Sequence, residues 1–76
     1  MTTVDIEYCV PCGHLDRAQD LQRAILQALG REIEAVTLRT GTGGVFRVDV
    51  DGETIFDIAE DEFDIDRIVR DVRQRS

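Results

Sequence analysis

From Thr3 to Tyr8 the chain alternates without a break: Val4, Ile6 and Tyr8 point one way, Asp5 and Glu7 the other. A period of two with one apolar and one charged face predicts a half-buried strand. The period then changes. Leu15, Ala18, Leu21, Ile25, Ala28 and Leu29 share one side of a helix, with Asp16, Gln19, Asp20, Arg23 and Gln27 largely opposite. The expected helix runs from about Cys12 to Leu29, with Pro11 suited to its first turn and Gly30 to its stop. Ile33 to Leu38 is short, apolar and partly β-branched, which predicts a second strand. Thr40-Gly41-Thr42-Gly43-Gly44 then reads as a flexible loop. No lysine follows it and a strand comes next, so its glycines do not predict a phosphate cradle.

Val45 to Val50 alternates again, and Glu53 to Ile58 is another extended run. Asp51-Gly52 between them predicts a type I′ hairpin, with Val48 opposite Ile55 and Arg47 opposite Phe56. After the acidic turn Glu60-Asp61-Glu62, Asp64 is placed to cap a final helix, with Phe63 stapling onto Ile68. Ile65, Ile68, Val69 and Val72 form its apolar stripe. Arg67, Arg70, Arg73 and Arg75 load its C-terminal half, where cations suit the helix dipole. The order is β-α-β-β-β-α: a parallel β-α-β unit joined to an antiparallel hairpin in one four-stranded mixed sheet. Because the first strand's second face is charged, both helices are expected on one face of the sheet. The class is α/β (α+β), a pared-down thioredoxin-like plan.

Length allows one domain, residues 1–76, with no room for a second core. No stretch approaches the ~20 apolar residues of a membrane span, and Thr2 onward lacks the pattern of a signal peptide. A soluble, cytoplasmic protein is expected. Sixteen acidic residues face nine basic ones, all arginine, for a net charge of -7. That balance repels nucleic acid and anionic membranes, so neither is an expected partner. Acidity without lysine also matches the surface of a halophile's cytoplasmic protein, where dense salt screens the carboxylates. An ordinary acidic domain is the alternative.

The chemistry gathers in Tyr8-Cys9-Val10-Pro11-Cys12-Gly13-His14, which holds both cysteines, the only proline and the only histidine. A bridge between Cys9 and Cys12 closes a tiny loop and gains little from loop entropy, so a purely structural disulfide is not expected. A thiol attacks a disulfide only as thiolate, and a helix N-terminus favours that form. Cys9, before the helix, is the expected attacking thiol, and Cys12, one turn on, resolves the mixed disulfide. Glu7 and Asp16 oppose the thiolate if close, and Arg17 offsets them. Cys9, Cys12 and His14, with Asp16 or a second chain, could instead hold zinc. Against that stand the missing second cysteine pair and the crowding at the helix start. The redox reading uses no cofactor and no metal.

These residues also carry a resemblance. Tyr8-Cys9-Val10-Pro11-Cys12-Gly13, the segment Gly44-Val45-Phe46-Arg47-Val48, the Asp51-Gly52 hairpin and the closing helix resemble the selenoprotein W-related group. This is the Rdx family of selenoproteins W, T, H and V and their cysteine-containing prokaryotic relatives. The likeness spans nearly the whole chain. It implies a thioredoxin-like fold, a redox site of the form C-x-x-C or C-x-x-U, and a role in redox homeostasis. Some relatives are linked to glutathione and to partner proteins. Selenium occupies the second motif position, which falls on Cys12. Where relatives carry a serine and basic residues after the fourth strand, this chain has Asp57-Ile58-Ala59-Glu60. No proline stands just before Val45, where thioredoxins proper place a cis-proline.

The expected function is therefore that of a small thiol–disulfide oxidoreductase. Cys9 and Cys12 are the catalytic pair, flanked by Tyr8, Pro11, Gly13, His14, Gly44, Val45 and Phe46. Backbone near Gly44 and Val45 is expected to dock the substrate, and Phe46 or Phe56 to lie near the site or on the uncovered sheet face. Expected partners are thiols or disulfides of proteins or of low molecular weight. The uncovered face leaves a homodimer open. The alternatives are a redox-responsive binding module without catalysis and a zinc-binding homodimer.

Overall fold

A computed structural model describes Thr2–Ser76. The elements are β1 (Thr2–Cys9), α1 (Leu15–Leu29), β2 (Ile33–Gly41), β3 (Phe46–Val50), β4 (Glu53–Asp57) and α2 (Ile65–Arg75). They form one sheet in the order β2-β1-β3-β4, with β1 parallel to β2 and antiparallel to β3. β1 is central, so its alternation decides what each face of the sheet becomes.

Val4, Ile6 and Tyr8 of β1 are buried, as are Phe46, Val48 and Val50 of β3. Ala18, Leu21, Ile25 and Leu29 of α1 and Ile68 and Val72 of α2 join them in one core cluster, so both helices cover the same face. Fully burying an aliphatic or aromatic side chain of this kind stabilises by about 1.5–3 kcal/mol. Asp64 caps α2 as expected, its carboxylate accepting from the Arg67 N–H at 3.3 Å. Phe63, expected as a staple, is half-buried and turns its ring to Phe46 and Phe56.

The other face carries charge. Glu7 sits between Arg39 and Arg47 in the register, and Asp5 sits between Thr37 and Asp49. The like charges of Asp5 and Asp49 are offset by arginines: Arg39 reaches Asp5 at 3.4 Å and Arg47 reaches Asp49 at 3.5 Å, while Arg47 also bonds Glu7 at 2.8 Å. Pairs this exposed contribute at most about 1 kcal/mol each. Their effect is to hold the side chains in a fixed lattice rather than to drive folding.

Two boundaries and one register differ from expectation, each for a local reason. α1 begins at Leu15, not near Cys12, because Gly13 takes φ 80° and breaks the helical path before it starts. Pro11 accordingly lies in the turn before the helix. β2 continues to Gly41 because β1 pairs with it in parallel as far as Cys9 opposite Gly41, so the glycine loop begins later than its composition predicts. In the hairpin, Asp51 and Gly52 take φ of 50° and 85°, as a type I′ turn needs. Beyond the turn, however, the register shifts: Val48 pairs with Phe56 and Arg47 with Asp57. Unbroken pairing would have put Phe56 on the charged face. The bulge at Ile55 carries it to the core face with Val48, and burial of a phenylalanine outweighs one disturbed ladder step.

Candidate redox site

The cysteine turn is built on the end of β1. The Cys9 N–H donates to the Val45 carbonyl at 2.7 Å, and the Val10 N–H to the Gly41 carbonyl at 3.3 Å. So the motif is fastened on both sides, to the start of β3 and to the end of β2. Gly13 and His14 then fold back, their N–H groups donating to the carbonyls of Val10 at 3.2 Å and Cys9 at 3.4 Å. In this closed turn the Cys9 and Cys12 sulfurs stand at disulfide-bonding distance, with their Cα atoms 5.3 Å apart.

The two cysteines are not equivalent, and the difference reverses the expected geometry. Cys9 is 0% exposed, whereas Cys12 is exposed. Cys9 is the last residue of the central strand, hydrogen-bonded to β3 and opposite Gly41 of β2, so it cannot form an exposed lip. Cys12 lies at the outside of the turn beside the exposed Pro11 and Gly13. Nor does it stand one turn inside the helix. His14 is the N-cap residue, its side chain makes no cap bond, and Cys12 precedes it.

Behind the turn is a ring cluster. The His14 ring meets Phe46 edge-on with centroids 5.7 Å apart, and Phe46 meets Phe63 at 5.3 Å and Phe56 at 6.1 Å in the same T-shaped manner. Edge-to-face pairs add about 0.5–1.5 kcal/mol beyond burial. Phe46 is fully buried on the helix-covered side, and so is Phe56 nearly, so neither lies on the uncovered face. Tyr8 is buried on that same side, opposite Phe46. The structure thus brings together Cys9, Cys12, His14, Val45 and Phe46, with Pro11 and Gly13 on the outer turn and Gly44 half-buried next to Val45. Glu7, which would oppose a thiolate if close, is bonded to Arg47 on the charged face. Arg17 stacks over Phe63 at 4.8 Å.

Two contributors were missed from sequence. Phe63 completes the ring cluster. Gly41 holds Val10, and a Cβ there would meet Val45 Cγ1 at 2.7 Å and Glu7 Oε2 at 3.0 Å. It is a glycine of close packing rather than of loop flexibility. The signal was the matched length of the parallel strands, which sets Gly41 opposite Cys9. Among the described residues no three His, Cys, Asp or Glu side chains are grouped to hold a metal ion. No helix among them is long and apolar enough to cross a membrane.

Known structures share this fold. The selenoprotein W-related protein of Vibrio cholerae superposes with a TM-score of 0.90 at 26% identity, over 97% of this chain and 95% of that one. A Bordetella parapertussis protein superposes with a TM-score of 0.91 at 28% identity, over 99% of this chain and 98% of that one. None of the curated proteins matches the chain. The two helices on a four-stranded mixed sheet are the architecture of the selenoprotein W-related structures, and the thioredoxin-like reading of the fold is consistent with it. Together with a cysteine pair at disulfide distance, this likeness suggests a redox role. The sequence pattern of the Rdx family matches residues 3–74, and the chain is a cysteine-containing member of that family.

Proposed function

We propose that this chain is a small thiol–disulfide oxidoreductase of selenoprotein W type. The observation that carries the proposal is the asymmetry of the pair: an exposed Cys12 joined to a buried Cys9. In the reduced protein the Cys12 thiolate attacks one sulfur of a substrate disulfide, forming a mixed disulfide and releasing the other sulfur as thiolate. The Cys9 thiolate then attacks Cys12 Sγ, closing the internal bond and releasing the second substrate thiolate. Two electrons pass from the protein to the substrate, and an external dithiol returns them. Cys12, assigned the resolving role from sequence, becomes the attacking thiol because only it is accessible. This agrees with the motif position that holds selenium in the selenoproteins it resembles.

The turn supplies what the exchange needs. Backbone bonds to Val45 and Gly41 hold Cys9 in place while Cys12 is engaged outside. The uncapped first turn of α1 follows directly, with N–H groups that favour a nearby thiolate. We take the protein to act in the cytoplasm on protein or low-molecular-weight disulfides, without nucleic acid, membrane or resident cofactor. A non-catalytic, redox-responsive binding module is the second reading. The exposed Val10 and Leu15 flanking Cys12 favour it, since they offer a contact surface.

Equilibration in thiol buffers, followed by alkylation and mass measurement, tests the proposal. A reversible internal disulfide with a midpoint between roughly -300 and -120 mV is expected. Cys9→Ser should accumulate a mixed disulfide on Cys12, and Cys12→Ser should accumulate none. If no internal bond forms at any poise, the oxidoreductase reading fails.

A further inference from the structure

The cysteine end of the domain is rich in carboxylates. β1, β2 and β4 finish at the cysteine end, and β3 begins there. Three connections meet at that end: residues 10–14, 42–45 and 58–64. The Cys9 N–H and the Ile58 N–H both rest on the start of β3, through the carbonyls of Val45 and Phe46, so the first and third connections are neighbours. None of the three contains an arginine, and the chain has no lysine. The connection after β4 carries Glu60, Asp61, Glu62 and Asp64, following Asp57. Of these, Asp57, Asp61 and Asp64 are used in local backbone bonds, while Glu60 and Glu62 are exposed.

The nearest cations already have partners. Arg17 stacks on Phe63, Arg39 and Arg47 are paired on the charged sheet face, and Arg67 shares a hollow with Asp61, Glu62 and Asp71. At the opposite end Arg31 and Arg73 line one hollow, and Arg75 pairs with Glu53 at 2.7 Å. The uncharged part of the cysteine end is apolar: Val10 is 48% and Leu15 42% exposed, on either side of Cys12.

We infer that the redox site selects a disulfide carried on a basic polypeptide segment with apolar residues beside its cysteine, and that it disfavours glutathione disulfide and other anionic disulfides. This rests on the oxidoreductase reading above. Glutathione brings carboxylates, and the three connections around Cys12 supply no cation; the one beside them, Arg17, is held over the Phe63 ring and is outnumbered by Asp16, Glu60 and Glu62. A basic segment finds carboxylates at Glu60 and Glu62 and an apolar rim at Val10 and Leu15. It also relieves the penalty that negative charge at this end places on a Cys12 thiolate. The domain measures only 32 × 20 × 19 Å. At about 0.01 M ionic strength the screening length of roughly 30 Å lets the whole acidic end act on an approaching charge, whereas at 1 M it shrinks to roughly 3 Å.

The test oxidises the reduced full chain with three probes: glutathione disulfide and two disulfide-linked peptides. Both peptides set leucine beside the cysteine, and they differ only in lysines against glutamates. Each rate is divided by the rate of the same probe with dithiothreitol, which removes intrinsic reactivity. At ~0.01 M ionic strength the lysine peptide should react about tenfold faster than the glutamate peptide, a modest steering effect. The gap should close at 1 M salt and narrow in the double variant Glu60→Lys/Glu62→Lys. Equal normalised rates, a faster glutathione disulfide, or a gap indifferent to salt would overturn the inference while leaving the oxidoreductase reading intact. Failure of all three probes to oxidise the protein would overturn both.

Discussion

Glycines shape both ends of the sheet, but by different physics. At the hairpin end Gly52 takes φ 85°, and nothing lies within 4 Å of where a Cβ would stand. The constraint there is backbone conformation alone. At the cysteine end Gly41 closes β2, and a Cβ would press on Val45 and Glu7. The constraint there is space, because Val45 and Gly41 carry the hydrogen bonds that hold the motif. One end reverses a chain; the other packs backbone close so that the cysteine turn can be anchored on a strand. The fully buried Phe46 ring supports the same turn, meeting His14 edge-on. Phe46 follows Val45 directly and locks the start of β3 under the turn.

The largest effect expected from breaking this contrast comes from Phe46. Phe46→Ala removes the ring that touches His14, Phe56 and Phe63, and should cost about 3–5 kcal/mol. A domain of 76 residues has roughly 4–11 kcal/mol in all. Urea unfolding should therefore show a midpoint shifted far toward zero denaturant; a loss under about 1 kcal/mol would remove Phe46 as the support of the site.

Gly41→Ala comes next, at about 1–3 kcal/mol from overpacking against the β-branched Val45 and the Arg47-bound Glu7. Its distinguishing sign is chemical. Displacement of Val45 and Val10 should change the rate of thiol exchange as well as the unfolding midpoint. Gly52→Ala should cost about 1–2 kcal/mol from the left-handed backbone and leave exchange rates unchanged. Equal kinetic effects from the two glycine variants would show that the two ends do not differ in this respect.

Much of this was legible in residue order. The alternation of Val4, Ile6 and Tyr8 against Asp5 and Glu7 already implied a strand with one covered face, because burying either carboxylate unpaired would cost more than the strand gains. Asp51-Gly52 announced its turn through the φ values that only such residues adopt easily. Asp64 announced its cap. The cysteine pair announced itself by spacing. These are local signals, readable over a few residues.

Other features required the assembled chain. Strict alternation would place Phe56 on the charged face; only the competition between a ladder step and a buried ring moved the register. Pro11 suits a helix start, yet Gly13 turns the chain before α1 can form.

By itself the sequence determined the element order, the one-sided core, the hairpin turn and the identity of the two thiols, since these follow from periodicity and from residue chemistry along a short span. Tertiary structure alone decided that Cys9 is buried and Cys12 exposed, that Gly41 is a packing glycine, and that the acidic connection after β4 shares an end with the cysteine turn. The reason is that exposure and field are set by residues distant in the chain. The thiol at the end of the central strand is buried where Val45 and Gly41 approach it, and neither stands near it in sequence.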